Sequence, residues 1–445
     1  MTPRPVSSTL QDLLRGGPYQ GYTYGYPHKT AYRAFESPQS LREVWAGEDK
    51  SSLFLYLHIP FCEMRCGFCN LFTTVGAPVS LEQGYLGAIE RQAEVVAGAL
   101  GDATFSRIAI GGGTPTYLEV GDLERVFNLL ERQFGASAAR LPTSVETSPA
   151  TATPERLQLL RERGVNRVSI GVQSFNESEV RSVGRAQQNK QVTAALDTIR
   201  AAGSPVLSID LIYGLAHQTP ETWLESLKTA LTWAPEELFL YPLYVRPLTG
   251  IGRLGRTWDD ERLELYRLGR DFLLASGYLQ TSMRCFQLAS QPVAVEPEYT
   301  CKTGGMVGLG CGARSYTRGL HYSSEYAVGA VGVREIIQDF VARPAERFGY
   351  VSHGIRLSID EQRRRFVLQS LLNISGLDAG LYRQAFGTDA YGDFSQLAEL
   401  EAAGLAFQQS GILRLTPAGL EQSDALGPWL YSPAMVQLSE EYAWR

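Results

Sequence analysis

The chain has 445 residues, enough for one large domain and a smaller one. Its residues are 44% hydrophobic and 20% charged, which is an ordinary composition for a globular protein. A net charge of −6 argues against a nucleic-acid-binding protein, which usually carries a basic face. The sequence contains no run of about 18 apolar residues and therefore predicts no membrane span. The N-terminus lacks the apolar core of a signal peptide. We therefore expect a cytoplasmic, monomeric protein that binds neither nucleic acid nor membrane.

The first 50 residues form the N-terminal region of the expected organisation. They are rich in tyrosine, with glycine and proline between the rings: Tyr19, Tyr22, Tyr24, Tyr26 and Tyr32. This composition favours an extended arm, packed through its rings, over a helix.

Apolar strand-like runs alternate with helical patterns over the expected core, residues 51–350. Strands are expected at 53–60, 105–110, 143–147, 167–173, 206–213 and 238–245. Helices are expected after Ser80, where Gln83 is placed for a capping box, from Thr153 to Gly164, at 190–202, and from Thr219. Six strand–helix repeats predict a parallel α/β barrel, in which the chemistry lies at the carboxyl ends of the strands.

The pattern changes near residue 358, and we treat residues 351–445 as a separate C-terminal module. Helices are expected at 365–372, 377–386 and 394–403, followed by a hairpin that pairs 405–407 with 412–415. Three helices and a small wing predict a winged-helix-like α+β fold. Such modules often bind DNA, but the third helix has two Glu and no Lys or Arg, which favours an interaction or lid role.

Three cysteines follow the first expected strand with the spacing C-x3-C-x2-C: Cys62, Cys66 and Cys69. Three thiolates can bind three irons of a [4Fe–4S] cubane and leave the fourth iron open. An open iron suits S-adenosylmethionine (SAM), whose amino and carboxylate groups can chelate it. An electron then breaks the S–C5′ bond and gives a 5′-deoxyadenosyl radical.

A mononuclear zinc site is the alternative for these cysteines, with His58 as a fourth ligand. Structural zinc usually takes four ligands in two closely spaced pairs, and the chain offers no second pair. Its other cysteines are isolated in sequence, and Cys301 and Cys311 are either substrate-side thiols or buried structural residues. The spacing therefore favours the cluster.

Glycines and polar residues follow the next two strands. Gly112, Gly113 and Thr114 come after the second strand, where glycine lets a backbone approach a ligand closely; a plain turn is the alternative. Glu146 ends the third strand and could receive the SAM ammonium group, or could be structural.

The fourth and fifth strands carry the remaining candidates. Gln173 ends the fourth strand, and Arg185 just beyond it could neutralise the SAM carboxylate. Asp210 lies in an apolar strand, where a charge is unfavourable unless it is paired. A ribose hydroxyl or a satisfied core carboxylate would both explain Asp210.

Together these motifs resemble the oxygen-independent coproporphyrinogen III oxidases and their relatives in the radical SAM superfamily. The matching stretches are 56–69, 111–118, Glu146, 165–185 and 209–215. The resemblance implies a partial (β/α)6 radical SAM barrel, a [4Fe–4S] cluster, and one or two SAM molecules. It implies that Cys62, Cys66 and Cys69 bind the cluster, that Tyr56 and Phe68 lie beside it, and that SAM contacts Gly112, Gly113, Thr114, Glu146, Gln173, Arg185, Asp210 and Ile212.

Two stretches depart from the oxidase pattern. Leu71 stands where the oxidase has an additional cysteine, and Met283-Arg284-Cys285-Phe286 stands where it has Met-Asp-His-Phe. We therefore expect a radical SAM oxidoreductase that abstracts hydrogen from an organic small molecule but does not oxidise coproporphyrinogen III efficiently.

The catalytic side chains of this expected enzyme are Tyr56, Arg284 and Cys285, and its electron donor is a flavodoxin or ferredoxin. Two other functions fit the same motifs. One is a C-methyltransferase or cyclopropane-forming enzyme that uses two SAM molecules, and the other is a haem-binding chaperone.

Overall fold

The computed structural model describes residues 9–246, 248–254, 261–290 and 304–444. Its N-terminal segment contains helix α1 (Leu10–Arg15), strand β1 (Arg33–Ser40) and helix α2 (Leu41–Trp45). The tyrosine-rich stretch is therefore packed but not wholly extended, because apolar Leu10 and Leu13 give it one short helix with a buried face. Within the described part of the chain, no helix is both long and apolar enough to span a membrane.

Strands and helices alternate through the barrel. In chain order they are β2 (Leu53–Ile59), β3 (Phe61–Cys62), β4 (Thr74–Val75), α3 (Val79–Leu100), β5 (Phe105–Gly112), α4 (Val120–Phe134), β6 (Thr143–Thr147), α5 (Pro154–Glu162), β7 (Arg167–Gln173), α6 (Glu177–Ser182), α7 (Asn189–Ala202), β8 (Val206–Tyr213), α8 (Pro220–Leu231) and β9 (Glu237–Pro242). Strands β2, β5, β6, β7, β8 and β9 are neighbours in that order, and each pair is parallel. The six-stranded parallel barrel is thus confirmed.

The sheet continues beyond both edges of the barrel. The added elements are α9 (Arg262–Ala275), β10 (Tyr278–Gln280), β11 (Cys285–Leu288), β12 (Met306–Leu309), β13 (Arg314–Tyr316), β14 (Leu320–Ser323), α10 (Ala330–Ala342) and β15 (Tyr350–Arg356). The complete strand order is β1-β15-β14-β13-β12-β2-β5-β6-β7-β8-β9-β11-β10. Strand β12 is parallel to β2, and the outer pairs are antiparallel. The added strands therefore flank the six barrel strands on both sides.

The C-terminal module is the expected winged-helix-like α+β unit. Its elements are α11 (Ile359–Leu371), β16 (Leu377–Asp378), α12 (Ala379–Phe386), α13 (Ala390–Asp393), α14 (Gln396–Ala402), β17 (Ala406–Gln409), β18 (Ile412–Leu415), α15 (Pro417–Leu420), α16 (Ser423–Trp429) and α17 (Pro433–Glu440). The wing β17–β18 turns at Ser410 and Gly411, both at positive φ, and β16 adds a third strand.

Two hydrophobic cores hold the molecule together. The larger lies between the barrel strands and their helices. The smaller lies in the C-terminal module, and the N-terminal segment contributes Leu10, Leu13, Tyr26 and Tyr32 to it. The segment is therefore fixed to the far end of the chain, and it crosses the open face of the barrel on its way to β1.

One expected cap is wrong. Helix α3 begins at Val79 without a side-chain cap. The Gln83 amide instead donates to Asp122 at 2.7 Å and accepts from Arg125 at 3.1 Å, both on α4. The Gln83 side chain therefore bonds to the neighbouring helix α4 instead of capping its own helix.

Candidate active site

The cysteine loop connects β3 to β4 and is packed from two sides. Cys62, Cys66 and Cys69 are all half-buried. The Thr114 hydroxyl donates to Cys62 Sγ at 3.6 Å, and Arg185 Nη1 donates to Cys66 Sγ at 3.2 Å. Residues after β5 and beyond α6 therefore reach the thiols that follow β2.

Glycine backbone makes this close packing possible. The Gly67 N–H donates to the Val183 carbonyl at 2.7 Å, and a Cβ on Gly67 would lie 2.6 Å from that oxygen. A Cβ on Gly113 would lie 2.9 Å from Cys62 Sγ. Any larger residue at either position would displace the cysteine loop.

The thiols fit a cluster better than a single metal ion. Burial raises the pKa of Cys62 to about 12 and also raises the pKa of Cys69, and a positive metal centre would favour their thiolate forms. Within the described residues, no three His, Cys, Asp or Glu side chains converge on one ion. Three thiols are the protein donor set of a [4Fe–4S] cluster with one open iron, whereas structural zinc usually takes four ligands.

Glu146 lies at the carboxyl end of β6 and projects into open space. Its Oε2 accepts from the Gly112 N–H at 3.1 Å, and a Cβ on Gly111 would lie 2.8 Å from Oε1. Burial among protein groups raises the pKa of Glu146, and the Gly112 N–H and Arg167 oppose that rise. A cationic ligand in the open space would favour the carboxylate form.

The end of β7 is strained, and Arg185 holds it. Gln173 has φ +71°, in the left-handed region, and the register with β8 shifts between Gly171 and Gln173. Arg185 Nη2 donates to the Gly171 carbonyl at 2.6 Å, while its Nε donates to Gln187 at 2.8 Å. Non-glycine residues in this conformation are concentrated at functional sites.

Asp210 and Ile212 follow each other on the same face of β8. Burial raises the pKa of Asp210 to about 7; Arg167 lowers it, while Glu146 and Glu237 raise it further. Ile212 is buried in a small apolar cluster against which Phe68 of the cysteine loop packs. The acidic group and the apolar contact therefore lie side by side at this strand end.

Tyr56 is oriented by His58. The Phe72 carbonyl accepts from His58 Nε2 at 2.9 Å, so Nδ1 carries the lone pair that accepts from the Tyr56 hydroxyl at 3.2 Å. Burial lowers the pKa of His58 to about 4, which keeps the ring neutral in this arrangement. His58 orients its neighbours, as its position on a strand suggests.

Arg284 and Cys285 lie at the edge of the barrel. Arg284 forms a buried ion pair with Asp424 of α16, and the Tyr244 hydroxyl donates to the same carboxylate. The Tyr22 ring lies 3.8 Å from the guanidinium. Cys285 is buried in β11 opposite Phe239. Asp424 and Tyr22 come from opposite ends of the chain, and no sequence motif connects either of them with Arg284.

A cavity of about 2430 Å³ reaches these strand ends and extends to the amino ends of the barrel strands, where Thr143, Asn166 and Glu237 line it. Most of the predicted site residues line it: Tyr56, Phe68, Cys69, Gly112, Glu146, Gln173, Asp210, Ile212, Arg284 and Cys285. Cys62, Cys66, Gly113, Thr114 and Arg185 are outside the lining. Cys311 is fully buried elsewhere, and Cys301 lies outside the described residues. The volume exceeds the roughly 300–1000 Å³ of an ordinary ligand pocket.

Two family models match the chain. Residues 56–230 match the radical SAM superfamily, and residues 357–421 match the HemN C-terminal domain. The oxygen-independent coproporphyrinogen III oxidase of Escherichia coli is 30% identical over 79% of this chain and 80% of its own length. The chain belongs to the HemN-like family of the radical SAM superfamily.

Other HemN-like proteins extend the comparison. The solved structure of the Escherichia coli coproporphyrinogen III oxidase has a TM-score of 0.79 to this chain, at 25% identity, and covers 92% of this chain and 96% of that one. The haem chaperone HemW of Bacillus subtilis is 28% identical over 82% of this chain and 95% of its own length. The HemN-like family thus contains proteins named as enzymes and proteins named as chaperones.

Proposed function

We propose that this protein is a radical SAM enzyme that abstracts hydrogen from an organic substrate held in the large cavity. The observation that carries the proposal is the arrangement at the carboxyl ends of β2, β5, β6 and β7. There, Arg185 donates to Cys66 Sγ and to the Gly171 carbonyl, and Thr114 donates to Cys62 Sγ. On the neighbouring strand ends, the Gly112 N–H donates to the Glu146 carboxylate. Membership of the HemN-like family supports the radical SAM chemistry. The arrangement of these side chains supports the location of that chemistry at the strand ends.

The thiols of Cys62, Cys66 and Cys69 would hold a [4Fe–4S] cluster. When bound, the cluster and SAM together supply one-electron chemistry that reaches unactivated carbon. A small electron-transfer protein, flavodoxin or ferredoxin, would deliver the electron. Phe68 of the cysteine loop packs against the apolar cluster that contains Ile212.

The strand ends would bind SAM. Glu146, which accepts from the Gly112 N–H, would also accept hydrogen bonds from the ammonium group. Asp210 and Gln173 both line the cavity and would contact SAM there, with Asp210 accepting from ribose hydroxyls. Arg185 is fixed by Gly171 and Gln187, which leaves its charge available to a carboxylate near Cys66.

The substrate would differ from that of the oxidase. Leu71 is 48% exposed and lines the cavity, so the position of the additional oxidase cysteine offers no thiol here. Arg284 is already paired with Asp424. Neither position supplies a group that can exchange a proton with a substrate near neutral pH, which argues against efficient coproporphyrinogen III decarboxylation.

The test is anaerobic incubation of reconstituted protein with SAM, a chemical reductant and coproporphyrinogen III, followed by chromatography. We expect 5′-deoxyadenosine to form, and we expect no protoporphyrin to accumulate over many turnovers. Abundant protoporphyrin would restore the oxidase assignment. 5′-Deoxyadenosine together with S-adenosylhomocysteine would instead favour the two-SAM transferase.

Haem chaperoning is the second candidate. The observation in its favour is the match over 95% of the length of the Bacillus subtilis HemW. A chaperone should bind haem tightly and turn over little SAM. Tight haem binding with no 5′-deoxyadenosine, from protein with a full cluster, would favour this candidate over the enzyme.

A further inference from the structure

Arg167, the first residue of β7, lies inside the barrel and bonds to three other strands. Its Nη1 donates to the Ser144 hydroxyl on β6 at 2.9 Å, and its Nη2 donates to the Ser208 hydroxyl on β8 at 2.9 Å. Its Nε donates to the Glu237 carboxylate on β9 at 2.6 Å. Three bonds from one planar guanidinium fix its position among these strands.

The two serines place this guanidinium close to the acids of the proposed SAM site. Residues two positions apart on a strand share a face and lie about 7 Å apart. Glu146 follows Ser144 by two residues on β6. Asp210 follows Ser208 by two residues on β8. The Arg167 guanidinium therefore lies one step below both carboxylates, towards the amino ends of the strands.

The charge of Arg167 acts on both carboxylates. Burial raises the pKa of Asp210 to about 7; Arg167 lowers it, and Glu146 and Glu237 raise it further. Burial also raises the pKa of Glu146, and the Gly112 N–H and Arg167 lower it. Arg167 is thus the cation that both acids share among the described residues.

Other titratable groups surround this cation and these acids. Those that interact across the neighbouring strands are Glu146, Arg167, Asp210, Glu237, Tyr241 and Cys285. Arg107 of β5 and Glu236, just before β9, also line this part of the cavity. In the described part of the chain, neither of them changes the pKa of the two acids. Glu236 is instead paired with Arg200 of α7 at 3.0 Å.

We propose that Arg167 is a positioning residue that keeps Asp210 and Glu146 in the anionic forms that bind SAM. The inference rests on the proposed function, because it deepens the account of the SAM site. Two buried carboxylates repel each other, and a cation one step away offsets that repulsion. Without it, one acid would take up a proton, and a protonated acid lacks the charge that attracts an ammonium group.

The first test is calorimetric titration of anaerobically reconstituted protein with SAM between pH 6 and pH 8.5. Arg167→Met should weaken SAM binding about tenfold at pH 7, equivalent to about 1.4 kcal/mol. It should also move the pH midpoint of binding upward by about one unit relative to wild type. Because SAM itself titrates alike in every sample, only the difference between proteins is compared.

Two further variants separate charge from structure. Arg167→Lys keeps the cation but cannot make all three bonds, so it should retain the wild-type pH midpoint even if the protein is less stable. Arg200→Met is the matched control, because it breaks the neighbouring ion pair with Glu236. It should bind SAM with the affinity and pH dependence of wild type.

Urea unfolding of the reconstituted protein without SAM gives a second, independent measurement. At pH 8.5, Asp210→Asn should increase stability more in the Arg167→Met background than in the wild-type background, by about tenfold in the unfolding equilibrium constant. The reason is that ionised Asp210 has lost its cation in the Arg167→Met protein. In the Arg200→Met background, Asp210→Asn should have the same effect as in wild type.

Three results would overturn the proposal: equal effects of Asp210→Asn in the Arg167→Met and wild-type backgrounds, unchanged SAM binding by Arg167→Met, or an equal loss of SAM binding in Arg200→Met. Failure of wild type to bind SAM would contradict the proposed function. The unfolding comparison needs no SAM, so it would still show whether Arg167 stabilises the Asp210 anion.

Discussion

At the residue scale, Arg185 joins more of the site than any single motif suggests. One guanidinium reaches Cys66, the strained end of β7 and Gln187. The planar fork of an arginine can make several such bonds at once, which a lysine cannot. Its position beyond β7 was predictable from the sequence, whereas its contact with Cys66, 119 residues away, depends on the barrel.

Arg185→Ala should weaken SAM binding by roughly 1.5–3 kcal/mol, because a charged hydrogen-bond partner is lost. Arg185→Lys should restore only part of the affinity. Calorimetric titration of reconstituted protein with SAM measures the effect. Arg181→Ala, which removes an exposed side chain of α6, is the matched control and should bind SAM as wild type does. Equal SAM affinity in Arg185→Ala and Arg181→Ala would show that Arg185 does not face SAM.

Asp210 makes stability without SAM depend on pH. Its folded pKa of about 7 is above the ordinary value of 3.8, so the folded state holds this proton more tightly and loses stability as pH rises from about 4 to 7. Asp210→Asn removes this loss. A pKa unit corresponds to about 1.4 kcal/mol, and water in the cavity reduces the effect. We therefore expect a gain of about 1–3 kcal/mol at pH 8 and a gain less than half as large at pH 5.

Urea unfolding of reconstituted protein at both pH values measures the effect of Asp210→Asn. Glu225→Gln, on the surface of α8, is a carboxylate control that should give the same stability difference between the two pH values as wild type. If Asp210→Asn is less stable than wild type at pH 8, the ionised Asp210 carboxylate must have a stabilising partner in the folded protein, which would contradict this account.

At the scale of elements, the start of a helix was predictable where capping residues in its own sequence mark that start. Thr153 and Pro154 start α5, and Thr219 starts α8 with a capping box completed by Thr222. The start of α11 was wrong by six residues. Its first turn contains Asp360 and Glu361, and its buried Arg365 interrupts the apolar pattern by which a helix is recognised.

Thr219→Ala should destabilise the barrel by about 1 kcal/mol, since the hydroxyl satisfies the Thr222 N–H at the start of α8. Thr229→Ala is the matched control, because its hydroxyl lies on the same helix and only bonds back to Glu225. The midpoint of urea unfolding, followed by tryptophan fluorescence, compares the two. Equal midpoints would contradict a capping role for Thr219.

At the scale of the whole molecule, the six parallel strands were predictable and the enclosure of the cavity was not. Strands β10 to β14 have three or four residues each, too few for a period-two pattern to register. The N-terminal segment and the C-terminal module meet over the barrel through Gly21, whose N–H donates to the Asp424 carbonyl at 2.9 Å. Contacts between residues about 400 positions apart produce no local pattern in the sequence from which they could be predicted.

The Arg284–Asp424 pair should behave as a structural clasp between the barrel and the C-terminal module. Arg284→Met leaves the buried Asp424 carboxylate unpaired, and we expect a loss of about 3–5 kcal/mol. Arg284→Met combined with Asp424→Asn should lose less than Arg284→Met alone. Urea unfolding of the two variants tests this. If Arg284→Met keeps wild-type stability but loses turnover, Arg284 acts on the substrate rather than on Asp424.

The most direct measurement is iron content together with SAM cleavage in Cys66→Ala and Cys311→Ala. Cys66 lies in the C-x3-C-x2-C loop, while Cys311 is a buried thiol outside it. After anaerobic reconstitution, Cys311→Ala should hold about four irons per chain, as wild type does, and form 5′-deoxyadenosine. Cys66→Ala should lose the cluster and form none. A Cys66→Ala protein that still produces 5′-deoxyadenosine would contradict the assignment of the cluster to this loop.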